Sequence, residues 1–232
     1  VMKKPKLNLI DIGMGMAQDI QKWRRVNAGC VLGIDIAGDN INNPNHGAYQ
    51  RLWSTMSKNG RDSVLPMAFV VGDASKNMAS GDAGIGPEDK VILQSVLGKV
   101  KPIGVVPPYI EEEMASRLKA KADVISCMFA THYFFASKET FDGFLANISE
   151  NLKIGGYFIG CCFDGEETFE FLKGRETRIG QEGETVLWKI SRKYDNDEIP
   201  SGDEAFGMPI DVEFISIGMP HREYLVPFRL LS

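Results

Sequence analysis

Asn8-Leu-Ile-Asp-Ile-Gly-Met-Gly-Met-Ala-Gln-Asp19 is the stretch that decides the fold. Leu7 to Ile12 is an apolar run short enough for a buried strand. Gly13 and Gly15 follow at once, and a helical pattern opens near Ala17. Strand, Gly-x-Gly turn and helix bring backbone close to a bound nucleotide, because a Cβ would block the approach or forbid the backbone angles. About twenty residues on, Val31 to Ile36 is a second apolar run with Asp35 near its end, where an acid can accept hydrogen bonds from both ribose hydroxyls. Residues 7 to 36 therefore predict a β-α-β unit that holds an adenosine. The alternative is a tight left-handed turn in an α/β core with no ligand. The dinucleotide fingerprint wants a third glycine at position 18, where this chain has Gln18. Asp11 in the strand and Asp19 after the loop suit a cationic ligand better than a pyrophosphate. S-adenosylmethionine, with its ammonium and sulfonium, is such a ligand.

The chain has 232 residues, enough for one α/β domain or one domain with an elaboration. No apolar run has the length of a membrane span, and Val1-Met-Lys-Lys carries no secretory pattern. A chain opening on Val1, with a strand six residues later, reads as a piece cut from something longer. Net charge −5 argues against a broad non-specific nucleic-acid surface, but not against recognition of one end of an RNA. Cys30, Cys127, Cys161 and Cys162 lack metal-ligand spacing and read as reduced thiols, mostly buried in strands.

Taken in order, Gln18 to Val26 predicts a helix and Gly38-Asp-Asn40 a turn. Gly47 to Ser57 predicts a second helix, and Met67 to Gly72 a third strand followed by Asp73-Ala-Ser75. Residues 76 to 121 read as an insertion or long crossover. Within it Lys90 to Val100 is helix or strand, and Ile110 to Lys121 a polar helix. Ala122 to Phe129 predicts a fourth strand and Ala130 to Phe135 an aromatic-rich loop. Phe141 to Leu152 is amphipathic, Lys153 to Gly156 a turn, Tyr157 to Phe163 a fifth strand, and Glu166 to Leu172 a helix. Val186 to Arg192 and Ile210 to Ile217 alternate as antiparallel strands do. The layout is α/β: a doubly wound, mostly parallel sheet of the S-adenosylmethionine-dependent methyltransferase type, with an antiparallel C-terminal part.

These motifs together resemble messenger-RNA cap guanine-N7 methyltransferases, most closely those of large DNA viruses of eukaryotes. Leu9 to Asp19 with Lys22-Trp23 is similar to the family's glycine loop. Gly33 to Ala37, with Gly47-Ala-Tyr-Gln-Arg51 after it, is similar to its ribose-binding strand and next helix. Asp123 to Phe134 resembles the cap-site loop, Glu139 to Ile159 continues the pattern, and His221-Arg-Glu-Tyr-Leu-Val226 resembles the late Glu-Tyr segment. By that resemblance Asp11, Gly13, Gly15, Asp19, Asp35, Ile36, Asp73, Ala74, Met128 and Phe129 line S-adenosylmethionine. His132, Tyr133 and Glu223 hold the guanine, and without the family's loop lysine the phosphates must lean on Lys22, Arg25 or Arg51. The physical logic agrees: guanine offers N1–H and N2–H donors to one carboxylate, and an aromatic ring stacks on the base.

The bland alternatives make Tyr133 and Phe134 core, His132 a satisfied loop histidine, and Glu223 an ion-pair partner of Arg222 or Arg192. The chain departs from the family at Met16, where a phosphate-binding lysine is usual, and at Ala17-Gln18, where two glycines are usual. The resemblance further implies one domain over 1–232 that is truncated at both ends, the 5′ cap of mRNA as substrate, and other capping domains or a stimulatory subunit as partners. It implies no metal, no membrane, and an intracellular place such as a viral factory in cytoplasm or nucleus. Catalysis would be in-line alignment without a general base, because N7 carries a free lone pair. The rival readings are a methyltransferase on a small molecule or another RNA position, and a non-catalytic module of a capping complex.

Overall fold

The computed structural model describes residues 6–60, 64–102, 104–216 and 218–231. They fall into two compact units, one within residues 1–128 and 143–160, the other within 129–142 and 161–232.

The first unit is built on a five-stranded sheet. Its strands are β1 (Leu7–Ile12), β2 (Ala28–Asp35), β3 (Met67–Val71), β4 (Ala122–Met128) and β5 (Leu152–Cys161). They lie in the order β3-β2-β1-β4-β5, and β1 pairs in parallel with both β2 and β4. Ile10, Val31, Leu32, Met67 and Ala68 are wholly buried, as strands covered on both faces require. The chain order reverses at β1, between β2 and β4, which opens a crevice at the strands' carboxyl ends. The loops there carry the expected cofactor residues.

The helices of this unit are α1 (Ile20–Arg25), α2 (Gly38–Asn42), α3 (Ala48–Asn59), α4 (Pro87–Val96) and α5 (Pro108–Glu113), with most of α7 (Lys138–Asn151). α4 resolves the open choice over Lys90–Val100 in favour of helix. Its Asp89 carboxylate accepts from Gly86 N at its own N-terminus and from Val71 N on β3.

Several local expectations differ from the structure. α1 begins at Ile20, not Gln18, because Ala17 sits at φ +54° outside helical space. The turn expected at Gly38–Asn40 is α2. The helix expected over Ile110–Lys121 ends at Glu113: Ser116 turns left-handed at φ +60°, and Ser116 N and Leu118 N donate to Ser95 O and Val96 O instead. The turn expected at Lys153–Gly156 is strand, with Gly155 at φ +78° absorbing the irregularity inside β5. Cys161 and Cys162 are half-exposed, whereas Cys30 and Cys127 are buried, and all four thiols are free.

One buried amide fastens α7 to the loop after β3. Asn147 Nδ2 donates to Ala74 O and Lys76 O at 2.8 and 2.6 Å, and its Oδ1 accepts from Met78 N at 2.9 Å. Asn147→Ala strands two buried backbone groups and one half-buried one, and is expected to cost about 2–4 kcal/mol of stability, read by urea unfolding. A cost under about 0.5 kcal/mol would show that the loop is held by other contacts.

The second unit contains α6 (Thr131–Phe134), the first turn of α7, α8 (Gly165–Leu172) and an antiparallel sheet. Its strands β6 (Thr177–Glu182), β7 (Thr185–Arg192), β8 (Pro209–Phe214) and β9 (His221–Tyr224) lie in sequence order. Phe169 and Leu172 of α8 pack with Ile210, Val212, Met208 and Leu225 to form its core. Asp164 Oδ1 caps α8 by accepting from Glu167 N. β7 and β8 match the two expected antiparallel strands, with Ile217 outside the described residues. β6 and β9 are additions, and the aromatic loop at 130–135 holds the short helix α6.

Candidate functional site: a glycine loop and an aromatic cavity

In the first unit, β1 delivers the chain into a tight curl. Gly13 and Gly15 lie at φ +68° and +57°. Gly13 N donates to Ile34 O at 2.8 Å, and Gly15 N donates to Asp35 Oδ2 at 2.8 Å. A Cβ on Gly15 would meet no atom within 4 Å, so its outer side is open space. Gly33 on β2 leaves room for Met14, whose Sδ would overlap a Cβ there. The curl is thus seated on β2 by side-chain packing as well as by hydrogen bonds.

Asp35 holds this loop rather than simply waiting for a ligand. Its Oδ1 accepts from Ala37 N at 2.9 Å and Asn40 Nδ2 at 3.1 Å, and its Oδ2 takes Gly15 N. A carboxylate offers about four acceptor sites, so capacity for one further donor remains. Ile36 beside it is 65% exposed, an apolar surface at the strand end. Asp11 is buried and accepts from Ser126 Oγ at 2.6 Å. Burial pushes its carboxyl up to about 7, against the Ser126 hydrogen bond and with the help of nearby Asp19. Such a group gains from a cation and disfavours an anion.

The other expected cofactor residues divide. Asp19 is ion-paired with the exposed Lys22 at 2.7 Å. Asp73 Oδ1 accepts from Ser75 N. Ala74 is buried, and its carbonyl is taken by Asn147. Met128, at the end of β4, is exposed. Arg51, on α3, lines a polar cavity of about 350 Å³ with Gln18, Gln21, His46 and Gln50, which sequence reasoning missed.

In the second unit a cavity of about 380 Å³ is lined by Phe129, His132, Tyr133, Cys162, Phe163, Phe214, His221 and Glu223. The three expected guanine residues, His132, Tyr133 and Glu223, are therefore together. Phe129, expected beside the cofactor, joins them, at φ +56° with its N–H donating to Cys161 O at 2.7 Å. Phe163 and Phe214 form a stacked pair, centroids 6.5 Å apart. They and His221 went unread, because nothing in a polar β9 or at the end of a strand marks a pocket wall.

Of the bland alternatives, Phe134 is core and Tyr133 is not, at 45% exposed. Arg222 pairs with Asp211 instead of Glu223. The neighbour of Glu223 is His132, with Nε2 and Oε2 3.7 Å apart. That is beyond hydrogen-bond reach. Both ring nitrogens of His132 and Oε2 of Glu223 are buried without a hydrogen-bond partner. Burial pulls the His132 imidazole down to about 4 and pushes the Glu223 carboxyl up to about 7. At neutral pH the two are not an ion pair. They are a neutral imidazole beside a carboxyl on the edge of ionising, in a cavity walled by rings. Buried polar atoms left unpaired are rare and costly, and a planar ligand with donors on one edge would satisfy the Glu223 oxygen.

Comparison with known proteins bears on the family and the fold. Over residues 106–232, more than half of the chain, the sequence matches the family model of the mRNA (guanine-N(7))-methyltransferase domain. A probable mRNA-capping enzyme of Acanthamoeba polyphaga mimivirus is 26% identical, over 94% of this chain and 18% of its own length. The mRNA cap guanine-N(7) methyltransferases of Caenorhabditis briggsae and Saccharomyces cerevisiae are 26% and 24% identical, over 97% and 98% of this chain. The chain spans 48% and 44% of their respective lengths. Among solved structures, an S-adenosylmethionine-dependent methyltransferase from Clostridium acetobutylicum aligns with TM-score 0.50 and 13% identity, over 97% of this chain and 69% of its own. The CcbJ methyltransferase of Streptomyces caelestis aligns with TM-score 0.51 and the same identity and coverage. The structural likeness establishes the fold. The family model reaches across the aromatic cavity, from before Phe129 to beyond Glu223, and on that match the chain belongs to the mRNA (guanine-N(7))-methyltransferase domain family.

Proposed function

We propose that this chain transfers a methyl group from S-adenosylmethionine to N7 of the guanine cap of mRNA. One observation carries the reading: an unpartnered, buried Glu223 Oε2 beside neutral His132 in an aromatic-walled cavity. Guanine presents N1–H and N2–H on one edge, and a carboxylate accepts both. Tyr133 and Phe129 supply ring faces, which also favour the cationic product base.

The residues of the first unit fit the methyl donor. The open side of Gly15 leaves room for a ligand against backbone, and Asp11 and Asp19 supply negative charge for its ammonium. The remaining acceptor site on Asp35 takes a ribose hydroxyl, and Ile36 and Met128 offer apolar surface to the adenine. Asp73 and the backbone at Ala74 complete the set. When bound, the donor supplies a methyl on a cationic sulfur. The chain's part is to hold N7 in line with it, and such alignment is worth on the order of 7–11 kcal/mol. N7 needs no deprotonation, so no residue is assigned as a base. Arg51 and Lys22 are assigned to the cap phosphates. Lys22 must exchange Asp19 for the anion, since the two are paired in the free protein.

This reading treats the chain as one methyltransferase domain, with residues 76–121 as its elaboration. Other capping domains or a stimulatory subunit are its partner class, and an intracellular RNA-processing site, such as a viral factory, is its place. No helix among the described residues is long and apolar enough to cross a membrane.

Calorimetric titration with S-adenosylhomocysteine, then with the cap analogue GpppG on the loaded protein, tests the reading. Both are expected to bind, each at one site. A folded protein that binds S-adenosylhomocysteine but not GpppG would transfer the methyl to another acceptor. One that binds neither would be a non-catalytic module.

A further inference from the structure

The polar cavity of the first unit is more than a landing place for one phosphate. It is lined by Gln18 and Gln21 from α1 and its lead-in, and by Asn45, His46, Gln50, Arg51 and Ser54 from α3 and its lead-in. No carboxylate stands in its lining, although the chain carries 31 acidic residues against 26 basic ones. The acids nearest along the chain are engaged, Asp19 with Lys22 at 2.7 Å and Asp39 with His46 at 3.5 Å. Arg51 Nε is buried without a hydrogen-bond partner. Among the described residues the Gln18 and Gln21 amides make no side-chain hydrogen bond, and Gln50 reaches only Ser54, at 3.5 Å.

A plain anion site needs cations and backbone N–H groups. This cavity instead sets one guanidinium among several neutral amides, each offering a donor and an acceptor side by side. That is the chemistry that reads the edge of a base or a ribose next to a phosphate. Its volume of about 350 Å³ suits a single nucleotide and not a longer piece of chain.

We propose that this cavity holds the ribonucleotide joined to the cap, with Arg51 on its phosphate and the Gln21 and Gln50 amides on its base or sugar. The assignment rests on the cap reading above and adds a contact site for the first nucleotide of the RNA.

The test compares GTP, the capped dinucleotide GpppA, sodium tripolyphosphate and the uncapped dinucleotide pppApA, each titrated into the whole chain. GpppA is expected to bind about tenfold tighter than GTP, the scale of one added nucleotide contact. The double variant Gln21→Ala, Gln50→Ala should close that gap and leave GTP unchanged, with its thermal melt showing an intact fold. Equal binding of GTP and GpppA to the unaltered chain overturns the proposal. So does tripolyphosphate competing as well as GpppA in both proteins, which describes a simple anion site. If neither GTP nor GpppA binds, the cap reading falls on its own. The cavity is then decided by pppApA: binding lost in the double variant supports a nucleotide site, and no binding overturns it.

Discussion

Glu223→Ala is expected to lower cap methylation by about 100-fold or more, while affinity for S-adenosylhomocysteine changes by less than about twofold. The reason is geometric. Glu223 lines the aromatic cavity with a buried, unpartnered Oε2, and a guanine bound without it would leave N1–H and N2–H without their acceptor. Glu223→Gln keeps the shape but turns one acceptor into a donor facing the base, so most of the loss should remain. The pH dependence follows from the same residue. Burial raises the Glu223 carboxyl to about 7, so the guanine-accepting form is half populated near neutrality. Affinity for a cap analogue should therefore rise with pH through about 7 and flatten above it. His132 and His221 are the other titratable walls besides Cys162 and Tyr133, and His132 stays neutral down to about 4.

The stability sign is the reverse of that for a paired carboxylate. The Glu223 pKa is higher folded than unfolded, so its ionisation penalises the folded state. The penalty is absent at low pH, grows as pH rises through the acid range and is complete above about 7. Glu223→Gln should thus melt higher than the unaltered chain at pH 8 and equal to it near pH 4. Loss of both cap methylation and S-adenosylhomocysteine binding would place Glu223 outside the guanine site. A cap affinity flat from pH 6 to 8 would remove its carboxylate from recognition.

Asp11→Asn is the second large effect, and it should move stability and binding in opposite directions. The Asp11 carboxyl is buried, with Ser126 Oγ at 2.6 Å and its pKa pushed up to about 7 by burial. An ionised carboxylate there is costly in the free protein and is repaid by a cationic ligand. The amide keeps an acceptor for Ser126 and removes the charge. At pH 8 the variant should be more stable, by on the order of 2–4 kcal/mol, and below the ordinary aspartate range the gain should vanish. The same change should weaken S-adenosylmethionine, with its ammonium and sulfonium, by about tenfold or more. Binding of the cofactor should also release protons near neutrality, seen as a buffer-dependent heat. A variant that gains stability and keeps full affinity would make Asp11 a structural residue of β1 and nothing more. Stability–function opposition of this kind is the mark of a charged group kept for its ligand.

Much of the first unit was legible because its signals are local. Buried parallel strands read as short apolar runs, and Gly13 and Gly15 are needed where the backbone turns to positive φ. The adjacency of Asp35 and the glycine loop also follows, since β1 and β2 are parallel neighbours in register, Asp11 against Gly33. What Asp35 does was not legible. Three of its acceptor sites are taken by the protein's own donors, two of them from residues just beyond it. The helix limit near Ser116 was misread for a related reason: Ser116 N and Leu118 N answer to Ser95 O and Val96 O on α4, not to local propensity.

Resemblance, more than periodicity, groups His132, Tyr133 and Glu223. The tertiary structure decided what they are. Phe129, His132 and Tyr133 meet Cys162, Phe163, Phe214, His221 and Glu223 in one cavity built on the pairing of β8 with β9 and on α6. Burial then reverses the order of their pKa values, pulling the histidine down to about 4 and pushing the acid up to about 7. Phe163, Phe214 and His221 belong to the same wall, yet each looks like an ordinary strand residue when read alone. The cavity of Gln21, Gln50 and Arg51 likewise joins two helices with a whole strand between them in the chain. By itself the sequence determined the backbone of the glycine loop and the strands that carry it, because glycine conformation and apolar alternation act over a few residues. Only the tertiary structure decided which polar groups are buried, which are left unpaired and what charge they hold, because burial and field are summed over neighbours that the chain order does not place side by side.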